Sequence, residues 1–170
     1  MMTLVERRIA LLNTMLLEAS SATRVLEQWC EQQGLGEAPV RLTVRQEEAP
    51  FQPVPPEAAH VFPPNEPLKY RLVALCCGSL EVAWADNWYA PSRLPAPMNE
   101  RLDTTSVPFG RVVASLNVTR DNLDSTVLWQ EGQPLSANTP ILRHIATVCR
   151  SDGLPLSLVR ETFSGVLLGA

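Results

Sequence analysis

Three features of the chain predict an α+β fold, a six-stranded antiparallel sheet with helices on one face. Two stretches near the N-terminus carry apolar residues at helical spacing. Much of the rest consists of β-prone runs, several of them joined at hairpin signals, Gly78-Ser79 and Asp152-Gly153. Between them lies a connection too rich in proline for a helical bundle, since most of the 15 prolines fall between Pro39 and Pro108. With 170 residues the chain suits one domain, 1–170, with one sizeable core.

Residues 3 to 18 suit a helix. Val5, Ile9, Leu12 and Leu16 form an apolar stripe, and Arg7 and Arg8 lie off it. A second helix is expected from Ala22 to Gln33, capped by Ser20 or Ser21, closed by Gly34, and buried through Val25, Leu26 and Trp29. Pro39 to Glu48 alternates Val40, Leu42 and Val44 with Arg41, Thr43 and Arg45, as a strand with one wet face does. Residues 49 to 67 form an extended connection with a short helical turn near Glu57 to His60. Phe51, Val54, Val61 and Phe62 make it too apolar for a free linker, so it should pack across the sheet. A lone His60 within it has no metal partner and reads as a surface residue.

Leu68 to Pro91 reads as a hairpin turning at Gly78-Ser79. A two-residue turn pairs Cys77 with Leu80, Val73 with Trp84 and Arg71 with Asp86. Arg71, Val73, Leu75, Val82, Trp84 and Asp86 then share one face. An ionised arginine is costly to bury without a partner. Arg71 is therefore either a strand-end residue whose head reaches water or Asp86, or an anchor for an anionic ligand. A turn at Ser92 to Pro95 and a short helix over Met98 to Leu102 follow. Pro108-Phe109-Gly110 then leads into a brief helix, Arg111 to Ser115. Leu116 to Trp129 is mostly a partly exposed strand, and Gly132 to Pro140 is a loop. Ile141 to Arg150 and Leu154 to Phe163 are strands joined at Asp152-Gly153. A two-residue turn there places His144 opposite Glu161. Such a pair can do proton chemistry or serve structure, and sequence favours structure.

Composition excludes several function classes. A net charge of −4 gives no general attraction to nucleic acid or to an anionic membrane, so any anion site must be local. No run approaches a membrane span. Arg7-Arg8 and the apolar run after them resemble a signal peptide only faintly. Asn13 and Thr14 interrupt the run and Glu18 replaces the small residues of a cleavage site. Cys30, Cys76, Cys77 and Cys149 lack C-x-x-C spacing, which argues against zinc or a disulfide framework and for reduced thiols in a cytoplasmic protein.

Several motifs, in order, resemble those of the chorismate pyruvate-lyase family: Ser21-Ala22-Thr23-Arg24, Arg71-Leu72-Val73-Ala74-Leu75-Cys76, Pro91 with Leu94, Pro108-Phe109-Gly110, Thr119-Arg120-Asp121, and Asp152-Gly153-Leu154-Pro155-Leu156 with Glu161 and Phe163. The resemblance covers roughly residues 10 to 168 and implies a chorismate lyase-like fold. That fold is shared with the UTRA-like effector-binding domains of GntR-type transcription regulators, so fold and function separate.

The resemblance implies a closed cavity beneath flaps that holds an aromatic carboxylate. Arg71 would bind the carboxylate with two charge-assisted bonds, and the Phe109 backbone N–H would donate to it as well. Ala22, in the segment leading to the flap, would touch the ligand. Glu161 would meet the ring hydroxyl and move a proton as enolpyruvate leaves, yielding a hydroxybenzoate of the kind made for ubiquinone. Neither a metal nor an organic cofactor would be required.

Two departures stand out. Where the family carries a second arginine, this chain has Asp86 or Asn87, depending on whether the hairpin carries a bulge. Phe109 replaces a leucine. Three functions follow: a chorismate pyruvate-lyase-like enzyme, a non-catalytic binding protein for a small aromatic carboxylate, or a structural protein that kept only the fold. Pyruvate release from chorismate marks the first. Stabilisation by aromatic acids marks the second, and a collapsed space around Arg71 the third.

Overall fold

The computed structural model describes residues 1–170. Helix α1, Leu4–Glu18, starts at Thr3, whose hydroxyl accepts from the Glu6 N–H while the Glu6 carboxylate accepts from the Thr3 N–H. Helix α2, Ala22–Gln32, is capped by Ser21. Gly34, at φ 69°, makes the left-handed turn after it. The strands are β1 (Leu42–Glu47), β2 (Lys69–Cys77), β3 (Leu80–Tyr89), β4 (Thr119–Val127), β5 (Pro140–Cys149) and β6 (Pro155–Ser164). They form one antiparallel sheet in the order β1-β2-β3-β6-β5-β4. Helices α3 (Ala96–Thr104) and α4 (Phe109–Val112) lie between β3 and β4.

The helices cover one face in two groups. Ile9, Leu12 and Leu16 of α1 and Val25, Leu26 and Trp29 of α2 pack on Leu75, Ala83, Leu142 and Phe163. Leu102 of α3 and Phe109 and Val112 of α4 pack on Tyr89 and Leu156. The proline-rich connection crosses the opposite face, as its composition predicts. Ala58 and Phe62 sit on Trp88, Ile145 and Leu158, and the Trp88 indole N–H donates to the Gln52 carbonyl at 2.7 Å. The expected helical turn is there, at Pro56–Ala58. No helix is long and apolar enough to cross a membrane.

Both hairpins depart from the expected register. The Gly78-Ser79 turn pairs Cys77 with Leu80 as predicted, but a bulge follows between Leu75 and Cys76, with Val82 as the extra residue. Arg71 therefore faces Asn87 rather than Asp86, and Val73 faces Ala85 rather than Trp84. Because side chains alternate, the shift also exchanges faces. Arg71, Val73 and Leu75 share theirs with Ala83, Ala85 and Asn87. Trp84 and Asp86 lie on the proline-rich side. The second hairpin has a three-residue turn, since Arg150 N–H donates to the Leu154 carbonyl and Cys149 pairs with Pro155. A bulge at Leu156 then restores the register, so His144 does face Glu161. Two deviations of one residue cancel.

Candidate functional site

Between the two helical groups the sheet face carries polar residues where core would be expected. One cross-strand row runs Arg71, Asn87, Val159, Ala146, Asn122, and the next runs Val73, Ala85, Glu161, His144, Ser125. Val159, on a central strand, stays partly exposed and joins none of the hydrophobic clusters. Arg71 and Glu161 thus lie on one face, separated by two strand spacings and one side-chain repeat, roughly 12 Å between Cα atoms. The floor beside them is Ala85 and Val159, with Ala146 beyond on β5, all small or β-branched.

Arg71 is 5% exposed and forms no ion pair. Its Nη1 donates to the Val107 carbonyl at 3.2 Å. Its Nη2 donates to the Thr105 carbonyl at 3.1 Å and to Gln46 Oε1 at 3.3 Å. The anticipated Asp86 partner is wrong, and little of the head reaches solvent. The head is buried, and Asp86 on the other face accepts from Tyr70 at 2.5 Å and from Arg160 at 3.0 Å. Arg71 Nε has no partner, nor do the two polar atoms of Asn87 or the Ser157 hydroxyl, all on this same face. Burial presses the Arg71 guanidinium below its ordinary range, with the charge of Asp103 acting the other way.

Arg71 also lines a cavity of about 360 Å³ that opens at the sheet edge where β1 ends. Phe51, Tyr70 and Tyr89 supply aromatic walls, and Lys69 at the rim is held by Asp103 at 2.9 Å. The enclosure is less complete than a closed chamber beneath flaps.

Glu161 is 7% exposed and meets a partner the sequence reading missed. Arg120 on β4 donates to it from Nη2 at 2.5 Å, across β5. His144 Nε2 lies 2.6 Å from Asn13 Oδ1 on α1, which also accepts from Ser125 at 2.9 Å. Burial holds the imidazole below its ordinary value, and the neighbouring Glu161 charge opposes this in part. Asn13 was detectable as a polar interruption of the α1 stripe. Arg120 lay in the Thr119-Arg120-Asp121 motif, but nothing in a strand whose side chains mostly face water pointed it toward Glu161.

Phe109 opens α4, where a first-turn N–H has no intrahelical partner. Its ring packs on Tyr89, with centroids 5.6 Å apart. The Thr105 and Val107 carbonyls held by Arg71 lead directly into it. Ala22 starts α2 and packs on the α1–α2 core, in a different cluster from Phe109. No group of His, Cys, Asp and Glu residues is arranged to hold a metal ion. All four cysteines are free and buried, and Cys77 Sγ lies 2.8 Å from Cys30 Sγ.

The chain is 41% identical over 175 aligned positions to the uncharacterized protein y4mC of Sinorhizobium fredii (strain NBRC 101917 / NGR234), covering 92% of this chain and 73% of that protein. The chain belongs to the y4mC family. No family model matches it. Among solved structures, PhnF from Mycobacterium smegmatis matches with a TM-score of 0.58 at 14% identity, over 88% of this y4mC-family chain and 66% of PhnF. The effector domain of PhnF alone matches with a TM-score of 0.56 at 13% identity, over 86% and 90% of the two chains. The possible transcriptional regulator YydK from Bacillus subtilis subsp. subtilis str. 168 matches with a TM-score of 0.51 at 18% identity, over 74% of this chain and 58% of that one. At such identities the likeness shows a shared fold. The y4mC-family chain shares its six-stranded antiparallel fold with these proteins, and it spans 66% of the PhnF chain and 58% of the YydK chain.

Proposed function

We propose that this chain is a ligand-binding domain for a small aromatic carboxylate, without catalysis of its own. One observation carries the reading. Arg71 is a buried guanidinium with no carboxylate partner, beside an aromatic-walled cavity and opposite an amide whose polar atoms are unpaired. A buried cation lacking an anion is costly, and a ligand carboxylate supplies one. The likeness to the PhnF effector domain supports the same kind of role. Free, buried thiols fit a reducing compartment such as the cytoplasm.

The reading as a lyase acting on chorismate rests on Arg71 and Glu161 sharing one face. Against it, Asn87 stands where a second arginine would help hold a dianion, and Glu161 is committed to Arg120. A thermal-shift titration with 4-hydroxybenzoate tests the binding reading. It should raise the melting temperature of the native chain and leave that of Arg71→Ala unchanged. A flat response in the native chain rejects binding. Pyruvate released from chorismate above the uncatalysed rate would instead establish the lyase.

A further inference from the structure

The charged groups on the site's face nearly cancel. Arg120 and Glu161 pair with each other, and Lys69 pairs with Asp103. His144 is buried with its pKa held below the ordinary imidazole value. Arg71 alone remains, as one uncompensated positive charge. Its direct cross-strand neighbour is Asn87, 6% exposed, and Ser157, fully buried, sits diagonally beyond on β6. The groups without partners are the Arg71 Nε–H, the Asn87 amide nitrogen and oxygen, and the Ser157 hydroxyl. Together they offer several donors and a neutral acceptor, around one charge.

We infer that the site selects monoanionic ligands over dianionic ones, and that Asn87 sets this selectivity. The inference rests on the ligand-binding reading above. A single carboxylate receives the Arg71 Nε–H on one side and the Asn87 amide N–H on the other, since directly opposed side chains lie within ~5.5 Å at Cβ. Asn87 Oδ1 remains free to accept from a hydroxyl of the same ligand. A second carboxylate would meet neutral groups, the Glu161 carboxylate or, at the cavity rim, a Lys69 that Asp103 already holds at 2.9 Å. Recruiting Arg120 or Lys69 to it would strip Glu161 or Asp103 of its partner, and for Glu161 that leaves a nearly buried charge uncompensated.

Calorimetric titration of the full chain with 4-hydroxybenzoate, a monoanion at neutral pH, and with terephthalate, a dianion on the same ring, tests this. The native chain should bind 4-hydroxybenzoate at least about tenfold more tightly than terephthalate, the weight of one unmatched charged hydrogen bond. Asn87→Arg, verified as folded by circular dichroism, should reverse the order. Equal or tighter binding of terephthalate by the native chain overturns the selectivity and leaves the binding reading standing. A folded Asn87→Arg with unchanged preference overturns the role of Asn87. If the native chain binds neither acid, the inference and the binding reading fall together.

Discussion

Arg120 on β4 reaches over β5 to place its Nη2 2.5 Å from Oε1 of Glu161 on β6, joining the edge of the sheet to its centre. Ala146 lies between them on the same face of β5 and leaves room for the long side chain. The carboxylate is nearly buried and the guanidinium about one-fifth exposed, so the pair sits between the surface and interior regimes.

Removing one member of such a pair leaves the other uncompensated. Arg120→Ala should destabilise the fold by roughly 2 kcal/mol, below the cost for a fully buried pair because Arg120 retains some solvent. The double variant Arg120→Ala with Glu161→Gln should recover part of that loss. Urea denaturation of the native chain, both single variants and the double variant measures the coupling. A double variant whose loss equals the sum of the two single losses would show that the pair contributes no coupling.

His144 gives the fold a pH dependence. Its folded pKa lies below the unfolded value near 6.5, chiefly through burial, with Glu161 and Asp124 opposing and Arg120 reinforcing the shift. As pH falls below that value the unfolded chain takes up a proton that the folded chain resists. Stability from this group is therefore present above the unfolded pKa and lost as pH drops. Urea midpoints should fall across the weakly acid range, and His144→Gln should flatten that part of the curve. An unchanged slope in the variant assigns the pH dependence to other groups.

The Trp88 indole ties the proline-rich crossing to the sheet through the Gln52 carbonyl at 2.7 Å. Trp88→Phe keeps much of the packing but removes that donor, so it should cost about 1 kcal/mol. Amide hydrogen exchange should quicken selectively around Ala58 to Phe62, with the strands beneath unchanged. Uniform acceleration throughout the chain would mean that Trp88 acts only through general stability.

Gly165 lies where the chain leaves β6 and docks against the loop before β5. Its N–H donates to the Thr139 carbonyl at 2.8 Å, and Val166 N–H donates to that of Ala137 at 3.0 Å. A Cβ at position 165 would sit 2.2 Å from the Ser136 carbonyl oxygen and 3.1 Å from Leu135 Cδ1. Backbone must move to admit it, so Gly165→Ala should cost about 1–3 kcal/mol and lower the melting temperature. An unaltered melting temperature would show that this loop shifts freely.

The strand runs, both N-terminal helices and the packed proline-rich crossing were legible because each is written locally, in periodicity, caps and turn residues. The face presented by each residue of β3 was not, because a single bulge beside Val82 exchanges the two sides of the strand and nothing near the Gly78-Ser79 turn announces it. The His144–Glu161 pairing was reached through a turn that is not there. It holds because the longer turn and the bulge at Leu156 offset each other.

By itself the sequence determined the α+β architecture and singled out Arg71, since a buried charge conflicts with the apolar pattern around it, and Glu161, through its place opposite His144 and the family resemblance. Only the tertiary structure decided their partners. Arg71 holds the Thr105 and Val107 carbonyls and faces Asn87, while Glu161 is met by Arg120 from the far edge of the sheet. The physical reason is range. Periodicity acts over a few neighbouring residues, whereas these contacts join positions 16 to 41 residues apart, through strand register and side-chain reach that only the assembled sheet fixes.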